Sequence, residues 1–220
     1  MKRKQLALLY ISSEMIKEFA SRHPVMWPDR DLANGPGNKM TPTPAMGVFF
    51  EYLDQNGDLF TQDEYANYAW LEWSDWRDGL TERVIEGVTA RLKRNFYISG
   101  LDTLYVWSLL VETGLFSRCL IDVIEDTVGK TDISVWTKGG GRIPIALHAG
   151  NRYAQAWTSY KRDHRGNTEE SLVDVELAME RDRSPGNKRW YNLDDLGKVV
   201  RRAKRDTARH RQVKLGIIWD

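Results

Sequence analysis

Chemistry in this 220-residue chain would rest on a carboxylate, an imidazole and two groups of cations. The carboxylate is Asp132, which follows the turn signal TVGK and opens the apolar run DISVW. An Asp between a turn and a strand commonly caps the turn, and its carboxylate is equally a source of hard oxygen ligands. The imidazole is His148, at the end of RIPIALH. A neutral imidazole ligates metals or acts as a base near neutral pH, and a single His beside Ala-Gly also serves as a structural hydrogen-bonding residue. The first cation group is Lys161-Arg162 with His164 and Arg165, which reads either as a solvated helix end or as a phosphate clamp. The second comprises Lys198, Arg201, Arg202, Arg205 and Arg209. Helical spacing puts these five on one face, where they can neutralise several phosphates at once. Lys138-Gly-Gly-Gly-Arg142 lacks the Walker spacing and opens no helix, so it reads as a hairpin.

The elements that must position these residues are legible in the change of period. CLIDVIE, DISVW and RIPIALH are β-branched runs separated by TVGK and TKGGG, and NRYAQAWTSYKR then turns helical. Residues 119–149 are expected to form three adjacent strands of one sheet, flanked by helices near 100–113 and 151–163. The first of those helices carries Ser99 three residues before Asp102, a capping-box variant, and ends at Gly114. SLVDVELAME alternates as a further strand. NLDDLGKVVRRAKRDTARHR is a helix with Asn192 as N-cap and an apolar stripe of Leu193, Leu196, Val200, Ala203 and Thr207, and VKLGIIW is expected as a last strand.

The order helix, strand, strand with a leading Asp, strand, helix resembles the core of the PD-(D/E)XK nuclease-like superfamily over about residues 99–180. The resemblance implies an α/β fold whose central mixed β-sheet is flanked by helices, a restriction-endonuclease-like core in residues 99–220. Residues 1–98 would be a mainly helical and loop extension. It further implies a Mg²⁺-dependent phosphodiesterase acting on DNA or RNA, with Asp132 as the principal metal ligand. The chain departs from the pattern on the third strand. There the superfamily has an acid or amide, one residue and then Lys, and this chain has Ala146, Leu147 and His148. Asp122, Glu125 or Glu112 would have to supply the second acid. His148 would stand in for the lysine, or Lys161 would reach back from the following helix. Loss of the acid at Ala146 equally fits a catalytically inactive nucleic-acid-binding or protein-interaction subunit.

In the N-terminal extension, 4–22 reads as a helix and 23–47, with five prolines, as a long loop. Asp54, Asn56, Asp58 and Glu64 imitate a calcium loop but miss its glycine. Asn56-Gly57 between VFFEYL and DLF reads instead as a hairpin or a plain turn. Trp70, Trp73 and Trp76 recur every third residue on a helix among acids that would repel phosphate, which favours core or a partner contact over base stacking. Residues 80–95 form another helix.

The formal net charge of +1 hides an asymmetry: 47–82 hold nine acids against one base, and 181–214 twelve bases against four acids. The acidic Trp-rich segment is a candidate surface for a protein partner or a second copy. The lone Cys119 excludes an internal disulfide and a cysteine-rich zinc site. The opening MKRKQLALLYI is cut short by Ser12, Ser13 and Glu14, and no apolar run approaches the length of a membrane span, so a cytoplasmic protein is expected.

Overall fold

The computed structural model describes residues 11–26, 28–33, 35, 45–121, 131–149, 173–177 and 196–214, with the backbone alone at 148, 149, 174–177, 207 and 209–214. The fold is mixed α/β and mostly helical. The described residues divide into two compact units at Tyr105/Val106.

The first unit contains α1 (Ser13–Arg22), α2 (Arg30–Ala33), α3 (Ala45–Asn56), α4 (Gln62–Glu72), α5 (Ser74–Arg77) and α6 (Glu82–Arg91). A π-helical turn (Leu92–Phe96) and the first half of α7 (Tyr97–Glu112) complete it. Three of the starts have a side-chain cap. Ser12 caps α1 by accepting from the Met15 N–H, and Asp29 Oδ1 accepts from the N–H groups of Asp31 and Leu32 at the head of α2. Thr61 and Glu64 close a reciprocal capping box on α4. The two backbone bonds hold the Asp29 carboxyl below the usual range, and the Thr61 N–H does the same for Glu64.

The core of this unit is aromatic. Phe49 lies 4.8 Å from Phe60, 5.6 Å from Tyr65 and 5.9 Å from Tyr97, ring centre to ring centre. Tyr65 and Tyr97 are buried, and their hydroxyls donate to the carbonyls of Ala45 and Phe60, each at 2.8 Å. Gly100 leaves room for this cluster, because a Cβ there would lie 2.7 Å from Phe49 Cγ.

Two expectations are corrected here. VFFEYL is not a hairpin strand: it lies in α3, with Ala45, Val48, Phe49 and Leu53 buried at helical spacing. Asn56-Gly57 ends that helix, with Gly57 at φ 68° donating its N–H to the Leu53 carbonyl. Nor does a new helix begin at Ser99. The chain is helical from Glu82 to Glu112 through the π turn, and Ser99 is an exposed residue inside α7. The three tryptophans pack on one another: Trp70 and Trp76 stack at 5.9 Å, Trp73 stands perpendicular to both, and Trp70 donates to Thr89 Oγ1. α2 is a short helix within the stretch read as loop.

The second unit takes the end of α7, β1 (Phe116–Ile121), β2 (Ile133–Thr137), β3 (Arg142–Ala149), β4 (Val173–Leu177) and α8 (Gly197–Lys214). Gly114, at φ 61°, terminates α7 as expected. The strands lie in the order β1-β2-β3-β4, antiparallel from β1 to β3 and parallel between β3 and β4. The three-strand expectation is therefore met, and the sheet is mixed. Residues 150–172 supply the length that a parallel connection needs. Ile133, Val135, Ile143 and Ile145 are fully buried on one face of the sheet. Trp107 donates its indole N–H to the Cys119 carbonyl, tying α7 to β1. Leu196, just before α8, and Val199 and Ala203 within it are buried, close to the expected stripe. Val213 and Lys214 continue α8 and so do not open a strand. The helix at 151–163, the Asn192 cap and the remainder of VKLGIIW lie outside the described residues.

Candidate functional site

Side chains alternate across a strand, so register decides which residues share a face with Asp132. Ile133 pairs with Ile145, and one step further Asp132 stands opposite Ala146. β3 and β4 pair Ala146 with Asp174 and His148 with Glu176. The register positions around Asp132 are thus those of Ala146, His148, Asp174 and Glu176, at the end of the sheet away from the 137–141 turn. The opposite face is the apolar one.

Asp132 has a structural task. Its N–H donates to the Ile145 carbonyl at 2.9 Å, and its Oδ2 accepts from the Leu147 N–H at 2.6 Å, so the carboxylate extends the β2–β3 ladder by one rung. A carboxylate has acceptor capacity for several donors or ligands, so this bond does not use it up. Ala146 is 4% exposed and brings no polar atom of its own beyond the backbone.

Of the other residues singled out in the sequence, Glu112 is the last residue of α7 and is exposed. Asp122, Glu125 and Lys161 lie outside the described residues. Among the described residues no group of three or more His, Cys, Asp or Glu could hold a metal ion. Burial pushes the Cys119 thiol up to about 12, which leaves it an inert thiol.

Sequence reasoning passed over Asp174 and Glu176. In the sequence they are polar positions of the alternating run SLVDVELAME, and their place beside Ala146 and His148 is set by a pairing between segments 28 residues apart at Ile145 and Val173. The signal in the sequence is Asp-Val-Glu, two acids two residues apart in a strand.

The cationic helix forms as expected over its described part. On α8, Lys198, Arg201, Lys204 and Arg205 are exposed and Arg202 is half-buried, opposite the buried stripe. Asp206 packs against the turn between β2 and β3: a Cβ on Gly141 would lie 3.0 Å from its Oδ2. Among the described residues no helix is long and apolar enough to cross a membrane.

The chain matches no protein-family model, no curated protein and no solved structure.

Proposed function

We propose that this chain is a divergent PD-(D/E)XK-like phosphodiesterase acting on DNA or RNA with the help of Mg²⁺. The observation that carries the reading is the β3–β4 register. The acid that Ala146 fails to provide has a source at the adjacent position, Asp174, with Glu176 next to His148. The succession of α7, β1, β2 led by Asp132 and β3 supports the same reading, since it is the order on which the resemblance rests.

The donor set suits the cation. Mg²⁺ prefers carboxylate oxygens, keeps several waters and is held through one or two carboxylates, so Asp132 and Asp174 suffice. When bound, it polarises a phosphoryl oxygen and lowers the pKa of a bound water. The residues of the chain do the rest. Asp132 anchors the site to the β2–β3 backbone through Leu147, His148 is the candidate base, and the cations of α8 hold the phosphate backbone without reading sequence.

The direct test is Mg²⁺-dependent cleavage of single- and double-stranded DNA and RNA by the wild type and by Asp132→Asn and Asp174→Asn. An amide oxygen at 132 still accepts from the Leu147 N–H, so the fold is expected to stay within a few degrees in melting temperature while cleavage is lost. Unchanged cleavage in both variants would overturn the assignment. A second reading is favoured by the buried Ala146 and by the backbone bond that Asp132 already makes: an inactive nucleic-acid-binding member of the same fold. Salt-dependent binding without cleavage by the wild type identifies that case.

A further inference from the structure

The face of the sheet that carries Asp132 also carries, four residues further along β2, Trp136. Arg118 of β1 and Arg142 of β3 pair with Trp136 in register, one on each side. Both guanidinium groups lie over its ring, Arg118 at 5.1 Å and Arg142 at 5.7 Å from the centroid. Arg142 is steadied by a hydrogen bond that its Nη2 donates to the buried Ser134 Oγ at 2.9 Å. Arg118 is exposed, while Trp136 and Arg142 are half-buried. Three adjacent strands thus present an Arg–Trp–Arg rung, about 13 Å along β2 from Asp132 at the usual strand rise.

Such a rung combines what a single strand of nucleic acid requires. An indole offers a π face to an unstacked base once the exposed Arg118 guanidinium turns off the ring, and that guanidinium then meets a flanking phosphate, while Arg142 stays held by Ser134. A duplex keeps its bases stacked inside and offers no such partner. The surroundings extend the positive charge. The Asp206 contact with Gly141 places α8 beside the turn that joins Trp136 to Arg142, and Arg205, exposed, is next to Asp206 on that helix. The turn end of the unit therefore carries cations from two elements, the strands and α8.

We infer that the Arg118–Trp136–Arg142 rung is a binding site for single-stranded DNA or RNA, with a base stacked on Trp136 and a phosphate held by Arg118. The inference rests on the nucleic-acid reading above for its ligand, and it does not rest on hydrolysis. It makes the substrate a strand that passes from the cationic turn towards the Asp132 end of the sheet.

The test measures fluorescence anisotropy of labelled oligo-dT, oligo-U and a hairpin duplex with the full chain in EDTA, across a range of salt. The wild type is expected to bind the single strands more tightly than the duplex. Trp136→Ala should weaken single-strand binding about 5- to 150-fold, the range for loss of one stacked base. Trp136→Phe keeps a π face and should restore most of the affinity. Arg118→Gln, at an exposed position, should lower the salt slope by about one. Should Trp136→Ala fail to fold, the Phe and Gln variants decide. Absence of wild-type binding to either strand, a wild-type preference for the duplex, or wild-type affinity in Arg118→Gln together with Trp136→Ala would overturn the inference. Because EDTA removes the metal, binding that persists in a protein unable to cleave overturns only the hydrolytic proposal.

Discussion

Around Phe49 the polar atoms are turned inward and used within the fold, whereas along β1–β3 the charged groups of one face are stacked side by side. In the helical unit the hydroxyls of Tyr65 and Tyr97 are bound to backbone carbonyls. Gln62 accepts from the Met26 N–H and donates to the carbonyls of Met26 and Lys93. Aromatic rings there meet mostly other rings, with a single cation over each of Tyr105, Trp70 and Phe96. In the sheet unit the ring of Trp136 meets two cations, and Arg118 is exposed. The difference teaches how to read aromatic content: nine tryptophans say little until their neighbours are known, because Trp70 lies among Trp73, Trp76 and Thr89 with one cation over its ring, whereas Trp136 lies between two arginines.

The comparison is broken most severely at Phe49. Truncating it to Ala removes the ring shared by Phe60, Tyr65 and Tyr97, and about 3–5 kcal/mol of stability should go with it, measured by chemical denaturation. If Phe49→Ala melts no earlier than Arg118→Gln, the aromatic cluster is not the core of its unit.

A smaller effect separates the two regions by pH. Glu64 has its carboxyl lowered from 4.5, chiefly by the Thr61 N–H, so its folded value lies below its unfolded one. Its contribution is present above pH 4.5 and is lost as pH falls through the lower folded value. The melting-temperature gap between wild type and Glu64→Gln should accordingly be open at pH 7 and close on acidification. A gap that widens in acid has the wrong sign for the capping box.

The smallest change in stability is expected at the cations. Reversing Arg201, Lys204 and Arg205 to Glu alters exposed residues only, so each should cost within about 0.5 kcal/mol, while nucleic-acid affinity falls uniformly across sequences and its salt dependence flattens. The competing outcome is a change of oligomeric state without any effect on nucleic acid. That result would assign the basic face to the acidic 47–82 segment of a second copy.

Local signals were enough for the strands. The β-branched runs and glycine turns located β1, β2 and β3, and Gly114 marked the end of α7, because strand period and positive-φ turns are properties of a few neighbouring residues. Asn56-Gly57 misled because one dipeptide serves both a hairpin turn and a helix terminus, and only burial of Phe49 and Leu53 on one side decides between them. Ser99 and Asp102 imitated a cap for a similar reason. The helix passes through Gly100, where Phe49 occupies the space a side chain would need. The candidate site was legible at Asp132 and along α8. It was illegible at Asp174, Glu176 and the Arg118–Trp136–Arg142 rung, because each depends on the register between strands, and for Asp174 and Glu176 between strands distant in the chain.

The π-helical turn at Leu92–Phe96 carries a consequence for how this chain tolerates length changes. A π turn accommodates one residue more than an α-helical turn, and each residue of α-helix advances the azimuth by about 100°. α6 and the start of α7 are therefore out of phase by an inserted residue, and Tyr97 and Leu101 reach their buried positions because of it. Deleting any one residue between 92 and 96 would preserve composition, hydropathy and helicity almost intact, and would nonetheless swing Tyr97 away from Phe49. In this segment the frame of the helix, more than the identity of its side chains, is what natural variation has to respect.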